Sequence, residues 1–309
     1  MPHKKAVIKM NDIINACEYD YIKLRDAVYA IKGRYPSAEL GSIGKSVMGK
    51  DLYYLKIGKG SSIVLYTAAF HGMERITSVL MLRFAERLLR AIDDDAEIAG
   101  IKARRAMIGR SLVIVPRVNP DGCDIALKGI GGCGYHAAKI YNWCDGNFSI
   151  WNANARGVDI NHNFDAGWNE LQKMEKNAGI YGPSPTRYGG PSPESEPETC
   201  ALTNLCRKNS ICHVLAFHSQ GEEIYWRYGE HTPQKGKKMA EVFAASTGYT
   251  LEAPIGLASH GGFKDWFIEE FHRPGFTIEV GKGKNPLDCR LLDEIYERIE
   301  EMLVLGIVL

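Results

Sequence analysis

The sequence has no apolar run that approaches the roughly 18 residues a helix needs to cross a membrane. It also has almost no net charge, because 38 Lys and Arg residues face 37 Asp and Glu residues and leave +1 at pH 7. A chain so close to neutrality gives no electrostatic reason to expect a nucleic acid or an anionic membrane as its partner. An apolar signal segment is missing as well, since Asn11, Asp12 and Asn15 fall where it would be most apolar. The sequence therefore predicts a cytoplasmic protein that binds neither membranes nor nucleic acids.

Internal repeats and low-complexity linkers are also absent, which favours a single domain over residues 1–309. We expect residues 1–36 to form an N-terminal helical segment that packs on this domain. The composition, 45% hydrophobic and 24% charged, is ordinary for a soluble globular enzyme. The 8 cysteines are expected to be free thiols rather than a disulfide framework, because the protein is predicted to be intracellular.

Apolar residues recur with helical and strand-like periods in alternation along the chain. Helices are predicted over 21–32, 76–92 and from 292 towards the C-terminus, and strands over 40–47, 52–58, 63–69, 112–118, 213–217 and 276–280. Another helix should begin near Ser195, with Glu198 closing a capping box. The alternation predicts an α/β fold, a three-layer α/β/α sandwich around a mixed, mostly parallel, twisted sheet. Two long segments without a clear period, 121–150 and 165–193, are predicted to be loops that line the substrate cleft.

Residues suited to chemistry follow three of the predicted strands. His71 comes directly after one buried strand, His218 ends another, and Glu279 lies near the end of a third. In sheets of this kind, ligands bind beyond the carboxyl ends of the strands. We therefore expect these three side chains to meet at one edge of the sheet.

The segment from His71 to Glu74 contains a His-x-x-Glu pattern at a strand-to-helix junction. Such a pattern places an imidazole and a carboxylate one helical turn apart. With a third protein ligand it forms the His₂Glu set of a catalytic zinc site, which leaves one metal position open for water. Because a short pattern like this one is common by chance, it needs support from the rest of the chain.

Five segments in chain order resemble the zinc carboxypeptidase superfamily, of which carboxypeptidase A is a member. They are the strand and turn at 66–74, the Asn-Pro-Asp-Gly turn at 118–122, the substrate-anchoring segment at 157–161, the segment 217–219 and the catalytic strand at 276–279. The resemblance implies a carboxypeptidase-like fold and one zinc ion per chain, held by His71, Glu74 and His218. It also implies that Glu279 takes a proton from water and gives it to the leaving amine.

The sequence departs from digestive carboxypeptidases at the residues that bind a C-terminal carboxylate. The family pairs an Asn with an Arg, and this chain keeps the Asn as Asn161 but has His162 next to it. A histidine offers neither the bidentate fork nor the permanent charge of an arginine. Asn152 stands at the position of the Arg that polarises the scissile carbonyl, and Leu257 at that of a mobile Tyr.

This combination resembles a bacterial branch of the family that hydrolyses the γ-D-glutamyl–meso-diaminopimelate bond of cell-wall peptides. The resemblance rests on segments 151–159, 218–222 and 262–266. Mixed charges such as Lys264, Asp265 and Glu222 would suit the zwitterionic far end of diaminopimelate. The sequence thus predicts a peptide or muropeptide substrate, with Asn152, Asn161, His162, Lys264 and Asp265 binding it.

Two other functions fit the same motifs. The protein could be an ordinary metallocarboxypeptidase that releases C-terminal amino acids. It could also be a muropeptide-binding protein without turnover, although a binding protein would not need the base Glu279. A separate group, Cys123, Cys133, His136 and Cys144, could hold a structural zinc, but its spacing is not that of a standard zinc ribbon.

Overall fold

The computed structural model describes residues 11–309. Its strands are β1 Glu39–Lys45, β2 Asp51–Ile57, β3 Ser62–Ala68, β4 Glu97–Ile98, β5 Ile101–Lys102, β6 Arg110–Val115, β7 Ile211–His218, β8 Glu223–Tyr225, β9 Thr250–Glu252 and β10 Gly275–Glu279. Its α-helices are α1 Tyr21–Arg34, α2 Arg75–Asp93, α3 Ala103–Ala106, α4 Pro120–Lys128, α5 Ala137–Cys144, α6 Trp168–Asn177, α7 Pro197–Lys208, α8 Gln234–Thr247, α9 Phe263–Phe271 and α10 Leu292–Val308. The N-terminal segment predicted for 1–36 lies partly outside the described residues, and its described part contains α1.

Within residues 11–309, eight of the strands form one sheet in the order β1-β2-β6-β3-β7-β10-β8-β9. The central strand β3 runs parallel to β6 on one side and to β7 on the other, and β10 runs parallel to β7. The predicted hairpin of β1 and β2 is antiparallel and extends the sheet beyond β6. At the opposite edge β8 is antiparallel to β10. The mixed, mostly parallel sheet confirms the predicted fold class.

Apolar side chains cover both faces of this sheet. Along β3, Val64 and Tyr66 belong to a core that also contains residues of α1, α2 and α10, whereas Leu65 belongs to a core with residues of α7 and α9. The alternation follows the period of two of a strand, so one buried strand contributes to two helical layers. Inside the first core the Tyr66 hydroxyl donates a hydrogen bond to the Leu303 carbonyl over 2.7 Å. None of the helices of residues 11–309 combines the length and the apolar character needed to cross a bilayer.

The prediction that 121–150 and 165–193 are loops is wrong, because both segments contain helices. Helix α4 begins within the Asn-Pro-Asp-Gly turn, where the Asn119 side chain accepts a hydrogen bond from Gly122 N over 2.8 Å. Pro120 is its first residue, which suits a helix start because proline lacks the N–H that would be unpaired there. Helix α5 lies in the middle of the first segment, and α6 lies near the start of the second. The many glycines and prolines of these segments interrupt the apolar period, so the short helices were not predicted from it.

The capping box predicted near Ser195 does not form. Helix α7 begins at Pro197, and its N-cap Glu196 has no capping side-chain hydrogen bond. Glu198 instead accepts hydrogen bonds from Val47 N over 3.0 Å and from the Asn154 side chain over 3.2 Å. These partners are distant in sequence, so a local capping pattern could not reveal them.

Candidate active site

The ends of three strands bring His71, His218 and Glu279 to one edge of the sheet. Ala68, the last residue of β3, pairs with Phe217 of β7, and His71 follows three residues later. Glu279, the last residue of β10, pairs in register with His218, the last residue of β7. The parallel register therefore aligns the carboxyl ends of the three strands, as expected from the sequence.

The donor atoms of His71, Glu74 and His218 face one another. His71 Nδ1 lies 2.8 Å from one carboxylate oxygen of Glu74, and His218 Nδ1 lies 3.0 Å from the other. The two Nδ1 atoms are 3.3 Å apart. Within residues 11–309, this is the only group of three or more His, Cys, Asp or Glu side chains whose donor atoms all lie within 4.8 Å of one another. Two imidazoles and one carboxylate are the ligands of a catalytic zinc with an open position, so these residues fit that ion.

Asp159 orients His71 from the side opposite to Glu74. Its Oδ1 lies 3.1 Å from His71 Nε2, and it accepts a hydrogen bond from Asn161 N over 3.2 Å. Its Oδ2 accepts one from Arg187 N over 2.8 Å. A carboxylate at Nε2 fixes the tautomer in which Nδ1 is free to bind a metal. Asp159 belongs to the predicted substrate-anchoring segment 157–161, and the sequence did not predict its contact with His71.

His218 is held by packing instead of by a carboxylate. Its ring stacks on Phe70 with centroids 5.0 Å apart and 15° between the planes. The side chain is fully buried, and its Nε2 has no hydrogen-bond partner among the described residues. The following residue, Ser219, exchanges two hydrogen bonds with the side chain of Asn285, at 2.8 and 2.6 Å. The imidazole is thus oriented by an aromatic wall and by the loop that follows Glu279.

Charge in this cluster is distributed between buried acids and imidazoles. Burial alone would raise the pKa of Glu74, but the two histidines outweigh it and lower this pKa to about 2. Burial would likewise raise the pKa of Asp159, yet His71 and His162 hold it well below its usual value. Burial would lower the pKa of His71, and the carboxylates of Glu74 and Asp159 reverse that effect. Both carboxylates are therefore anionic, as a metal ligand and its hydrogen-bonded partner must be.

Glu279 has a different environment, because carboxylates as well as imidazoles surround it. Burial raises its pKa well above the usual range, and the carboxylates of Glu74 and Glu223 raise it further, whereas His71 lowers it. Glu223 lies on β8 directly across from Glu279 in the antiparallel register, so both side chains share a face of the sheet. Tyr225 donates a hydrogen bond to Glu223 over 2.5 Å. Glu223 was not predicted from the sequence, because a strand of only three residues such as β8 has too few positions to show a period.

Asn152 and Asn161, two of the predicted substrate-binding residues, flank the metal cluster. The carbonyl of Asn152 accepts a hydrogen bond from Gly72 N over 3.0 Å, and its Oδ1 accepts one from Met73 N over 3.4 Å. This places Asn152 on the turn that carries His71. Asn161 Oδ1 accepts a hydrogen bond from Phe263 N over 3.0 Å at the start of α9. In both residues the side-chain oxygen is engaged, which leaves the amide N–H groups as donors.

His162 is buried, with 8% of its surface exposed. Its Nδ1 lies 3.2 Å from Glu175 and 3.0 Å from the carbonyl of Arg187. Burial would lower its pKa, but Asp159 and Glu175 raise it. These contacts leave Nδ1 occupied by protein acceptors.

Lys264 and Asp265 are buried at 3% and 2% exposure, and they form an ion pair with each other. The Lys264 ammonium also donates to the Arg227 carbonyl over 2.9 Å and lies 5.7 Å from the ring centre of Tyr228. Burial raises the pKa of Asp265, an effect that the Lys264 ammonium opposes. The two charges therefore lie in the interior, in the first turn of α9, and not on the exposed surface.

The four residues considered for a structural zinc are not brought together. Cys123, Cys133 and Cys144 are buried free thiols, and they form no metal-binding group with His136 in the part of the chain that the structure describes. Cys133 and Cys144 belong to a small apolar core with Trp151. These cysteines are core residues.

Comparison with known proteins extends this picture. A family model described as zinc carboxypeptidase matches residues 24–302. The gamma-D-glutamyl-L-diamino acid endopeptidase 1 of Lysinibacillus sphaericus is 35% identical, over 94% of this chain and 72% of that protein. Carboxypeptidase A of Helicoverpa armigera has a similar structure, with a TM-score of 0.71 and 19% identity over 94% of this chain and 73% of that one. For the murein-tripeptide amidase MpaA of Escherichia coli O157 the TM-score is 0.53, with 21% identity over 90% of this chain and 93% of that one. The likeness in fold confirms the predicted carboxypeptidase-like architecture.

Proposed function

Because the chain belongs to the zinc carboxypeptidase family, we propose that it hydrolyses the γ-D-glutamyl–meso-diaminopimelate amide bond of cell-wall peptides. The chain is a zinc-dependent metallopeptidase. The similar protein from Lysinibacillus sphaericus is named for the γ-D-glutamyl-L-diamino acid bond, which supports this substrate class. In our proposal His71, Glu74 and His218 hold the zinc ion.

The observation that carries the proposal is the state of His162. A carboxypeptidase needs a fork of donors for the free C-terminal carboxylate, and the residue beside Asn161 would have to provide it. His162 Nδ1 is instead engaged with Glu175 and the Arg187 carbonyl, and the ring is 8% exposed. A side chain so engaged is a poor partner for an ordinary C-terminal carboxylate, which favours a substrate recognised by other groups.

The chain's own residues would perform the proton transfers. When bound, zinc supplies a Lewis acid that polarises the scissile carbonyl and acidifies water. Glu279 would take the proton of the attacking water and pass it to the leaving amine, since it ends β10 in register with the metal-binding His218. The amide N–H of Asn152 would donate to the developing oxyanion, because its Oδ1 is already engaged by Met73 N.

Lys264 and Asp265 would recognise the far end of the diamino acid. Diaminopimelate carries an ammonium and a carboxylate there, and the buried pair offers one group of each sign. The Lys264 ammonium has three N–H groups, of which one is used by Asp265 and one by the Arg227 carbonyl. Both side chains are at most 3% exposed and are paired with each other, so this recognition stays a prediction, and it requires the far end of the substrate to enter the interior.

The proposal is tested with zinc-loaded protein and three peptides. The first is L-Ala-γ-D-Glu-meso-diaminopimelate, the second has lysine in place of diaminopimelate, and the third is an ordinary peptide ending in Phe. We expect mass spectrometry to detect release of diaminopimelate, with the lysine analogue cleaved far more slowly. A hydrogen-bonding site can discriminate by about 10⁴-fold against a substrate that leaves its polar groups unpaired.

Other results would favour the other two functions. Equal rates on the first two peptides, or rapid trimming of the Phe peptide, would favour an ordinary metallocarboxypeptidase. Binding of the first peptide by zinc-loaded protein without any hydrolysis would favour a muropeptide-binding protein.

A further inference from the structure

The loop between α6 and α7 holds the backbone of Arg187 against the metal-binding edge. Arg187 N donates to Asp159 Oδ2 over 2.8 Å, and Asp159 Oδ1 in turn lies 3.1 Å from His71 Nε2. The carbonyl of Arg187 lies 3.0 Å from His162 Nδ1. Both backbone polar groups of Arg187 are therefore used to fix the loop beside the predicted site.

Neighbouring residues of the loop are fixed in the same way. The Pro185 carbonyl accepts hydrogen bonds from Asn152 N over 2.8 Å and from Ala153 N over 2.9 Å. The Tyr188 carbonyl accepts one from Asp159 N over 2.7 Å. Because these bonds join the loop to the segment that carries Asn152 and Asp159, the position of Arg187 relative to the site is well determined.

The backbone of Arg187 has a conformation that favours glycine. Its φ is +69°, in the left-handed region, where a side chain costs conformational free energy. Two glycines, Gly189 and Gly190, follow closely, but this position has a long cationic side chain. Strain of this kind persists when surrounding contacts determine the backbone, and it is common where a side chain serves function.

The guanidinium of Arg187 is exposed and forms no hydrogen bond or ion pair with any residue from 11 to 309. Two neighbouring cations are engaged: the Lys264 ammonium by Asp265, and Arg156 by Glu196 at 3.6 Å. The metal edge itself is rich in carboxylates, among them Glu74, Asp159, Glu223 and Glu279. A substrate that brings further carboxylates to this edge needs a cation to receive them.

We propose that Arg187 is a specificity-determining residue that binds a substrate carboxylate flanking the scissile amide. It takes the role that a fork at position 162 has in a carboxypeptidase and that His162 cannot fill. The inference rests on the proposed function, because that substrate has two such carboxylates. One belongs to the D-glutamyl residue and the other to the α-carbon of the leaving diamino acid.

The test removes the guanidinium and keeps the backbone. Arg187→Gly suits this, because the contacts with Asp159 and His162 use only backbone atoms and glycine adopts a φ of +69° without strain. Arg187→Lys keeps the charge but loses the planar fork. Arg156→Gln is the matched control, since it removes an exposed arginine that precedes the same substrate-anchoring segment but is paired with Glu196.

Each protein is assayed on L-Ala-γ-D-Glu-meso-diaminopimelate and on two analogues. One has the D-glutamyl carboxylate as an amide, and the other has the α-carboxylate of the leaving residue as an amide. Wild type should prefer the free acid, and Arg187→Gly should reduce one acid-to-amide ratio of kcat/KM by roughly 10- to 100-fold, the range for a charge-assisted hydrogen bond. The analogue whose ratio changes identifies the carboxylate. Arg187→Lys should lie between, and Arg156→Gln should keep both wild-type ratios.

Two results would overturn this role for Arg187. The first is that Arg187→Gly keeps both acid-to-amide ratios. The second is that it loses zinc or melts several degrees lower, since the side chain would then support the fold instead of the substrate. Calorimetric binding of the three peptides to zinc-loaded Glu279→Gln, with and without Arg187→Gly, gives the same ratios as Kd. Arg187 can thus be judged even if wild type cleaves none of the peptides, a result that would reject the proposed function alone.

Discussion

Two groups of buried carboxylates lie along the segment 152–159, and their partners differ. At the metal edge, Glu74 and Asp159 contact imidazoles, at 2.8 Å for Glu74 and 3.1 Å for Asp159. In the second group, which we call the enclosed cluster, Asp121, Glu196 and Glu198 surround the Asn154 side chain and the turn after β1. There Asn154 Nδ2 donates to Glu196 over 2.7 Å and to Glu198 over 3.2 Å.

The partners determine which acids keep a proton. Imidazoles lower the pKa of Glu74 to about 2. Glu198 has only a backbone N–H and an amide as hydrogen-bond donors among the described residues. Burial therefore raises its pKa to about 8, and the neighbouring carboxylate of Asp121 adds to the effect. One segment of the chain thus supports anionic carboxylates on one side and a protonated one on the other.

Glu198 and Glu279 both have a raised pKa, but they differ in position. Burial and a neighbouring carboxylate raise the pKa of both residues. Only Glu279 ends a strand at the edge where the histidines meet, whereas Glu198 lies in the first turn of α7 with its oxygens engaged. A raised pKa alone does not identify a catalytic acid, and the position of the side chain relative to a site where substrate can bind decides it.

Removal of the metal should have the largest effect, because it would disrupt the metal edge and leave the enclosed cluster intact. We expect a chelator to abolish peptidase activity without unfolding the chain, because the two large apolar cores lie on the faces of the sheet and do not include the metal-binding residues. Metal analysis, circular dichroism and activity before and after chelation test this. Added zinc should restore activity. A chain that unfolds on chelation, or that never binds one zinc ion, would contradict the prediction.

The next effect separates Glu279 from Glu198, two carboxyls whose pKa burial raises. Glu279→Gln should reduce turnover by at least about 100-fold, the lower range for a lost general base, while zinc content and melting temperature stay unchanged. The matched change Glu198→Gln, in the enclosed cluster, should leave turnover near the wild-type value. Steady-state kinetics with metal analysis measures both. Near-normal turnover of Glu279→Gln would mean that another residue is the base.

The sequence was most informative where structure depends on neighbouring residues. The continuous apolar run at 63–69 predicts a buried strand, and the strands that carry His218 and Glu279 were found in the same way. Because the carboxyl ends of parallel strands lie at one edge of a sheet, the predicted strands alone imply that these residues meet His71 there. The register of Glu279 with His218 agrees with that expectation.

Contacts between distant segments could not be predicted. Glu198 fitted a local capping pattern, but in the structure it accepts a hydrogen bond from Val47 N, 151 positions away, instead of capping α7. Glu223 reaches the site from a three-residue strand, and the backbone of Arg187 lies beside it in a loop that is hydrogen-bonded to Asp159. In each case the position depends on tertiary hydrogen bonds that have no periodic signature in the sequence.

The smallest expected effect concerns stability and tests the enclosed cluster directly. The folded pKa of about 8 for Glu198 lies above the unperturbed 4.5, so between these values the unfolded chain has released a proton that the folded chain keeps. The contribution of Glu198 to the free energy of unfolding is therefore complete below pH 4.5 and is lost as the pH rises through 8. The loss is at most about 1.4 kcal/mol per pH unit.

Glu198→Gln has no proton to release and should lack this part of the pH dependence. The variant should be less stable than wild type near pH 5.5, because a glutamine amide meets the donating side chain of Asn154, and the difference should shrink or reverse near pH 9. Urea unfolding of zinc-loaded proteins across this range measures it, and comparison with wild type at each pH cancels the pH dependence of metal binding. The control Glu170→Gln alters an exposed glutamate paired only with Lys173, so its curve should run parallel to that of wild type. If Glu198→Gln also ran parallel, Glu198 would be ionised in the folded protein, and the contrast between the two carboxylate groups would no longer rest on protonation.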